Sequence, residues 1–295
     1  MIRLAHFSDI HVEAPADWTL RDWLSKRLTS WIFLRLLGRG ARFRHTERVL
    51  TALRTDLRER HFDRVIFSGD ATALGFEEES ARAAALLGLH DHTPPGIAVP
   101  GNHDYCTSRA AGTGHFERHF APWLTGERID AERYPFAQRV GPVWLVAVNS
   151  AVAHWWPTDA SGMVGTRQLR LLEELLRRLD GGPRILVTHY PVCVANGEPE
   201  RPGHALRDLD DVLAVARAGG VSLWLHGHRH SAYHHDATAD VPFPVICAGS
   251  ATQQGLWSYG DYMLDGNRLR AVVRGFDERS GGFVDRETFE VILPQ

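Results

Sequence analysis

Five short motifs spread along the chain carry side chains that are typical metal ligands. In chain order they are Asp9-x-His11, Gly69-Asp70, Gly101-Asn102-His103-Asp104, His189 and Gly227-His228-x-His230. Carboxylates, imidazoles and one amide together form a ligand set that suits two divalent ions such as Mn, Fe or Zn. Each motif directly follows an apolar run, where packing alone gives no reason for polar groups. The pattern therefore predicts a dinuclear metal centre.

The spacing within the motifs predicts how the ligands are presented. Asp9 and His11 are two residues apart, so on an extended segment both side chains point the same way. The same geometry is predicted for His228 and His230. Gly101 is expected to allow a tight turn at a point where a side chain would crowd the site.

The charges of the predicted ligands favour a phosphate ester as substrate. Asp70 is placed to bridge two ions, and Asn102 adds a neutral oxygen that limits the negative charge. With Asp9 and a bridging hydroxide, two divalent ions leave about one positive charge, which fits a phosphodiester or phosphomonoester. We expect a metal-bound hydroxide to attack phosphorus in line. His103 is predicted to protonate the leaving oxygen without binding metal, and Asp104 to orient it.

Short apolar runs alternate with helical patterns along most of the chain. The runs lie at 2–7, 65–67, 97–99, 143–148, 185–187 and 221–225, and the helical patterns at 45–60, 77–89, 166–179 and 209–218. This alternation predicts an α/β fold in which helices cover sheet faces. Ligand sites in such sheets form where the carboxyl ends of several strands meet, so the motifs are expected to converge at one rim.

The last part of the chain has a different pattern, which favours strands. Residues 241–295 are predicted to be β-rich, with a hairpin turn at Asp265-Gly266-Asn267, and to complete a second sheet. Thr166 is expected to cap the helix that follows it. No linker separates two domains, so residues 1–295 are predicted to form a single domain.

The composition excludes several classes of protein. The 295 residues are 44% hydrophobic and carry a net charge of −3, which indicates a packed core and no general preference for nucleic acid. Three cysteines without a CxxC pair indicate a reducing compartment. The first ten residues already form a predicted strand, and no apolar stretch is long enough to span a bilayer. A cytoplasmic protein without a signal peptide is expected.

The five motifs, in this order and spacing over residues 1–230, resemble the calcineurin-like metallophosphoesterase superfamily. The resemblance implies a four-layer α-β-β-α sandwich with two metal ions, divalent or mixed-valence. It further implies that Asp9, His11, Asp70 and His230 hold one ion, whereas Asp70, Asn102, His189 and His228 hold the other. Within the superfamily the chain is most similar to small bacterial phosphodiesterases related to class III cyclic-nucleotide phosphodiesterases.

Departures from other branches of the superfamily narrow the function. Purple acid phosphatases have a tyrosine where this chain has Ala73, and the main lipid A precursor hydrolases have an arginine at the position of His103. A phosphodiesterase is therefore predicted first. A peripheral-membrane hydrolase of a lipid-linked pyrophosphate or phospholipid, and a phosphomonoesterase, remain alternatives.

Two further features are left open by the sequence. The segment 17–48 inserts after the first motif and combines aromatic and aliphatic residues with eight basic and three acidic ones. It predicts either an amphipathic basic lid that touches anionic membrane or substrate, or a helical insertion packed on the body or at a homo-oligomer interface. His226 precedes the last motif and is a candidate for orienting a metal ligand from behind.

Overall fold

The computed structural model describes residues 1–36, 38, 40–91 and 94–294. Its strands are β1 (Ile2–Phe7), β2 (Arg64–Phe67), β3 (Gly96–Ala98), β4 (Phe136–Val140), β5 (Val143–Ala147), β6 (Arg184–Val187), β7 (Val221–His226), β8 (Ala232–His235), β9 (Val245–Ala248), β10 (Tyr259–Asp265), β11 (Arg268–Asp277) and β12 (Gly282–Ile292). Its α-helices are α1 (Leu20–Trp23), α2 (Lys26–Arg35), α3 (Thr46–Glu59), α4 (Glu77–Leu87), α5 (Ser108–Thr113), α6 (His115–His119), α7 (Thr166–Arg178) and α8 (Leu209–Ala218). Short 3₁₀ helices lie at Gly40–Phe43 and Ala121–Trp123.

These strands form two six-stranded mixed sheets. The first sheet has the order β12-β11-β10-β1-β2-β3, and the second has the order β4-β5-β6-β7-β9-β8. β1, β2 and β3 run parallel, with Phe7 opposite Phe67, and so do β5, β6, β7 and β9. The carboxyl ends of the parallel strands are therefore the positions from which loops can meet at one rim.

Three apolar cores separate four layers. Leu4, Ile66, Leu145 and Leu225, from both sheets, pack into the core between the sheets. α3, α4 and α6 cover the outer face of the first sheet, and α7 and α8 cover the outer face of the second. The apolar spacing of α3 explains its position, because its buried valine and leucines lie on one helical stripe. The α-β-β-α sandwich predicted from the sequence is confirmed.

Two local predictions are wrong. Thr166 is the first residue of α7 and not its N-cap, which is Gly165. No described side chain caps the first turn of this helix, and the backbone N–H groups of Val164 and Gly165 just before it donate to the carboxylate of Asp208. The strands of the C-terminal part do not all join the second sheet: β9 does, but β10, β11 and β12 extend the first sheet beside β1.

The insertion after the first motif forms α1, α2 and the first 3₁₀ helix, and it is packed on the body. The buried guanidinium of Arg27 donates to the carbonyls of Leu74 and Gly75, pairs with Asp22 at 2.5 Å, and lies 3.9 Å from the centre of the Phe76 ring. These bonds fix α2 against the loop that follows β2. The predicted insertion residues Leu37 and Arg39 lie outside the described residues. None of the described helices is long and apolar enough to cross a membrane.

Candidate metal centre

The predicted ligands lie together at one rim of the sandwich, although they are far apart in sequence. Asp9 and His11 follow β1, Asp70 follows β2, Asn102 follows β3, His189 follows β6, and His228 and His230 follow β7. The carboxyl ends of strands from both sheets meet at this rim. The prediction that the five motifs converge is therefore confirmed.

The backbone of the ligand loops differs from the prediction. Asp9, His11, Asp70, His228 and His230 have φ values between 41° and 71°, so these segments are left-handed and not extended. Among the described residues only one other non-glycine residue, His61, has a positive φ. Such backbone costs of the order of 1–3 kcal/mol per residue and clusters at functional sites. The ligand pairs thus converge by turning the chain, not by alternation along a strand.

Two glycines are required by close packing within the centre. A Cβ atom at Gly101 would lie 2.5 Å from the backbone nitrogen of Asp70 and 2.7 Å from its Cγ. A Cβ atom at Gly227 would lie 2.6 Å from Asp9 Oδ2 and 2.8 Å from Ser8 Cβ. Neither glycine has a positive φ, so both are needed for space and not for a special backbone conformation.

Asp9, His11 and His230 form the first ligand group. The Nε2 atoms of His11 and His230 are 3.2 Å apart. Asp9 Oδ1 lies 3.2 Å from His230 Nε2 and 3.8 Å from His11 Nε2. Asp70 Oδ2 lies 3.7 Å from His11 Nε2, which adds the bridging carboxylate to this group.

Asn102, His189 and His228 form the second group. Asn102 Oδ1 lies 3.2 Å from His189 Nε2 and 3.0 Å from His228 Nδ1, and these two nitrogens are 3.3 Å apart. Asp70 Oδ2 lies 3.4 Å from His189 Nε2. The same Asp70 oxygen therefore lies between His11 of the first group and His189 of the second, where a bridging ligand must be.

Hydrogen bonds behind the imidazoles fix the nitrogens that face the centre. His11 Nδ1 bonds to the carbonyl of Thr72 at 3.2 Å and His189 Nδ1 to that of Ser68 at 2.8 Å. His230 Nδ1 bonds to Oε1 of Gln253. Each of the three rings thereby presents Nε2 to the ligand group, as is usual for metal-bound histidine. The sequence alone gave no signal for Gln253, which comes from the chain beyond β9.

The position of Asp104 corrects its predicted role. Its carboxylate accepts hydrogen bonds from the backbone N–H groups of Asp70, Ala71, Thr72 and Gly101 and from the Thr72 hydroxyl. Asp104 therefore orients the loop that carries the bridging ligand. The His103 ring is oriented by a different group, because its Nδ1 bonds to the carbonyl of Ala73 at 2.7 Å.

His103 lies at the edge of the first group. Its ring centroid is 4.7 Å from that of His11, and its backbone N–H donates to Asp70 Oδ1 at 2.7 Å. It also belongs to a set with His11 and Asp70 whose ligand atoms all lie within 4.8 Å of one another. This position is compatible with the predicted general acid, which has to lie beside the reacting phosphorus.

His226 lies behind the last motif but does not bond to a ligand side chain. It is fully buried, its Nδ1 donates to the carbonyl of Gly227 at 2.9 Å, and its Nε2 has no hydrogen-bond partner in the described part of the chain. Burial lowers the pKa of His226 to about 4. A neutral His226 thus supports the turn before His228, and any influence on that candidate ligand acts through the backbone of Gly227 and not through a bond to its side chain.

Burial and neighbouring charges act in opposite directions on the titratable groups of the centre. Burial raises the pKa of Asp70, but His189 and His103 outweigh it and hold that pKa well below its usual range. The pKa of Asp9 is also lowered, because the effect of burial is outweighed by His230. Burial lowers the pKa of His189, yet Asp70 more than compensates and raises it to about 9. Both carboxylates are therefore ionised.

The donor set fits a pair of divalent cations. Asp9 Oδ1 is buried and accepts no well-aligned hydrogen bond among the described residues, although His230 Nε2 and His11 Nε2 lie 3.2 and 3.8 Å from it. A buried charged oxygen without such a bond is costly. Two sets of residues that contain Asp9 place their ligand atoms within 4.8 Å of one another. One set is Asp9 with His11 and His230, and the other is Asp9 with Asp70 and His189. A cation at these positions satisfies the orphaned oxygen, and a dinuclear site accounts for both sets.

Three polar residues near the centre were not predicted as site residues. Lys26 of α2 donates to the carbonyl of Asp159 at 2.5 Å. Burial lowers the pKa of Lys26, and Asp70 is among the negative groups that partly oppose this shift. The ring centroid of His204 lies 6.1 Å from that of His228, and Arg229 pairs with Glu200 at 2.8 Å. Only Arg229, inside the last motif, could have been found from the sequence.

Comparison with known proteins agrees with the geometry. The family model described as calcineurin-like phosphoesterase matches residues 2–232. A search of curated proteins finds no match.

Solved structures of three proteins share the fold. A dimetal phosphatase from Danio rerio has 14% identity and a TM-score of 0.67, with 99% of each chain covered. Purple acid phosphatase PPD1 from yellow lupin (Lupinus luteus) seeds has 14% identity and a TM-score of 0.64, and the match covers 99% of this chain and 53% of that one. GAP50, the anchor in the inner membrane complex of Plasmodium, has 12% identity and a TM-score of 0.52, with 100% and 89% covered. At these identities the likeness shows the fold alone.

Proposed function

The chain belongs to the calcineurin-like phosphoesterase family, and from this premise we propose that it is a dinuclear metal-dependent phosphodiesterase. The observation that carries the proposal is the position of Asp70 Oδ2, 3.7 Å from His11 Nε2 and 3.4 Å from His189 Nε2. Asp9, His11, Asp70 and His230 would hold one ion, and Asp70, Asn102, His189 and His228 the other. Two divalent ions bound there supply Lewis-acid polarisation of the phosphoryl group and activation of an attacking water.

His103 is proposed to deliver the proton to the leaving oxygen. Its Nδ1 is held by the carbonyl of Ala73, so Nε2 is the atom that transfers the proton. A poor leaving group such as an alkoxide needs this proton more than p-nitrophenolate does. General acid help of this kind is typically worth about 10²–10⁴-fold in rate.

The charge of the centre favours a diester. Asp9 and Asp70 offset two of the four positive charges of two divalent ions. A diester monoanion and a deprotonated water neutralise the remaining two. A monoester dianion would leave one excess negative charge, which a further cation could compensate.

Phosphomonoester hydrolysis is the second candidate, and Lys26 is the observation that favours it. Burial lowers the pKa of the Lys26 ammonium, and Asp70 is among the negative groups that partly oppose this shift. A protonated Lys26 could offset the second charge of a monoester. The preference between the two esters is therefore open to a direct measurement.

The test is the initial rate of hydrolysis of bis-p-nitrophenyl phosphate and p-nitrophenyl phosphate by the Mn-loaded protein. We expect the diester to be preferred, and activity on both esters to be lost in Asn102→Ala. Asn267→Ala is the matched control, because Asn267 lies in the remote turn between β10 and β11. Preference for the monoester would make the protein a phosphatase. An Asn102→Ala variant as active as the wild type would refute the proposed site.

A positive result would lead to natural diesters. The motif pattern predicts similarity to class III cyclic-nucleotide phosphodiesterases, so cyclic nucleotides and phospholipid-like diesters are the compounds to compare next. The comparison would be made by product release under the same metal loading. It decides the substrate class within the proposed reaction.

A further inference from the structure

Large exposed apolar side chains are concentrated on two segments of the molecule. Among the described residues eleven such side chains are exposed, and eight of them lie between positions 20 and 36 or 155 and 163. Leu20, Leu24 and Leu36 on the first segment, and Trp155 and Trp156 on the second, are each at least 66% exposed. Single exposed apolar residues need no explanation, but a cluster of this kind marks an interaction surface.

The two segments are neighbours in space. Lys26, two residues after Leu24, donates to the carbonyl of Asp159 at 2.5 Å. The backbone N–H of Asp159 in turn donates to the carbonyl of Trp156 at 3.2 Å, which closes the tryptophan turn. The start of α2 and the tryptophan turn are therefore held together. We call the described residues of this insertion, 17–36, 38 and 40–48, with the tryptophan turn at 155–159 the basic apolar surface.

The basic apolar surface is fixed to the body, so its exposure is not a result of loose packing. The buried Arg27 side chain bonds to Asp22 and to the carbonyls of Leu74 and Gly75. Trp18, Trp31 and Leu34 pack with Phe76 in a small apolar cluster. The insertion is thus anchored by these contacts, while its side chains Leu20, Leu24 and Leu36 remain exposed.

The charge of the surface identifies its partner. The described residues of the segment 17–48 include seven basic and three acidic ones, a net charge of +4 in a chain whose total is −3. Arg21, beside Leu20, is exposed, and so are Arg42 and Arg44. Exposed tryptophans and leucines together with arginines are the combination that binds the interface of an anionic bilayer.

We propose that the basic apolar surface docks this protein on a bilayer that contains anionic phospholipid. The surface lies beside the metal centre, because Ser30 and Leu34 of α2 line the same small cavity as His11 and His103. Docking brings the phosphoesters of lipid headgroups to the rim of the site. Docking on the bilayer is inferred from the basic apolar surface alone. The access of lipid headgroups to the site rests, in addition, on the proposed function.

The experiment is co-sedimentation of the full chain with vesicles of phosphatidylcholine, with and without phosphatidylglycerol. We expect binding that depends on phosphatidylglycerol and weakens with salt. The double variant Trp155→Ser, Trp156→Ser should bind at least about tenfold more weakly, and Arg21→Gln roughly fivefold more weakly. Ile292→Ser is the matched control, because Ile292 is 56% exposed on β12, the strand at the edge of the first sheet. This variant should bind vesicles as the wild type does.

Three outcomes would overturn the inference. The first is wild-type protein that stays in solution with both kinds of vesicle. The second is that the tryptophan and arginine variants bind vesicles as the wild type does. The third is a wild-type dimer in light scattering, with the tryptophan variant as a monomer. The last result would make the surface a contact between two copies of this chain. Hydrolysis of bis-p-nitrophenyl phosphate by the tryptophan variant separates the two proposals. An unchanged rate with lost vesicle binding supports docking, whereas vesicle binding without hydrolysis by any form contradicts only the proposed reaction.

Discussion

Replacement of Gly101 by alanine tests the packing of the centre without removing a ligand. The added Cβ atom would lie 2.7 Å from Asp70 Cγ and 2.5 Å from the Asp70 backbone nitrogen, whereas ordinary contact begins at 3.4 Å. Asp70 Oδ1 would be closer still, so the predicted bridging residue must move by at least about 0.9 Å. Metal–ligand distances tolerate only about 0.2 Å. A displacement near 1 Å typically costs about 10²-fold in rate.

We expect Gly101→Ala to remain folded but to lose metal and at least about 10²-fold in kcat/KM. Metal content per chain would be measured by inductively coupled plasma mass spectrometry after dialysis against Mn, and the rate with bis-p-nitrophenyl phosphate. Gly112→Ala is the matched control, because Gly112 lies in α5 with no atom within 4 Å of the added Cβ. That control should keep full activity and gain about 0.5–1 kcal/mol of stability.

The result that would refute the reasoning is a Gly101→Ala protein with wild-type metal content and rate. It would mean that Asp70 can retreat without leaving its bridging position. A loss of metal in both glycine variants would also contradict it, because the effect would then not depend on the contact with Asp70. Circular dichroism of both variants separates a local displacement from unfolding.

Three further predictions concern single side chains. His103→Ala should keep both metals and lose about 10²–10⁴-fold in rate on diesters with poor leaving groups. The loss should be smallest on p-nitrophenyl esters. Full activity on poor leaving groups would contradict the acid role. Lys26→Met should raise KM for p-nitrophenyl phosphate more than for the diester, as measured from initial rates, and an equal change would deny Lys26 a charge-compensating role. Burial lowers the pKa of His6 from 6.5 to about 3, so the unfolded chain takes up this proton first and stability is lost as the pH falls below 6.5. From about pH 7 to pH 5 the unfolding free energy of the metal-free wild type should therefore fall by about 2 kcal/mol more than that of His6→Gln, as measured by urea titrations. An equal fall in both proteins would show that His6 does not titrate in this way.

The candidate ligand residues could be predicted from the sequence because their chemistry is local. Each motif combines a metal-binding side chain with the end of an apolar run, and the α/β pattern brings such ends to one rim. The strand limits follow from the same apolar runs: the run predicted at 2–7 is β1, and that at 221–225 lies within β7. These features depend on short stretches of chain.

The orientation of the ligands could not be predicted, because it depends on the backbone and on distant contacts. The left-handed φ of Asp9 and His11 contradicts the extended geometry expected from their spacing. Gln253 reaches His230 from a different part of the chain. The sequence predicts that Asp104 orients His103, yet its carboxylate accepts hydrogen bonds from the loop after β2.

The sheet membership of the last strands depends on tertiary pairing. The hairpin with its turn at Asp265-Gly266-Asn267 was predicted and is confirmed, because turn residues are a local signal. The partner of the hairpin was not predictable, since β1 could have been an edge strand. β10 pairs antiparallel with β1, Leu4 opposite Tyr262, and the C-terminal strands therefore extend the first sheet.

The central claim is that Asp70 joins two metal ions in one centre, and metal stoichiometry tests it most directly. Inductively coupled plasma mass spectrometry would be applied to the wild type, to Asp70→Ala and to Asp240→Ala, an exposed aspartate outside the centre. We predict two ions per chain in the wild type and in Asp240→Ala, and the loss of both ions in Asp70→Ala. Two ions retained by Asp70→Ala, or fewer than two bound by the metal-loaded wild type, would contradict the dinuclear centre.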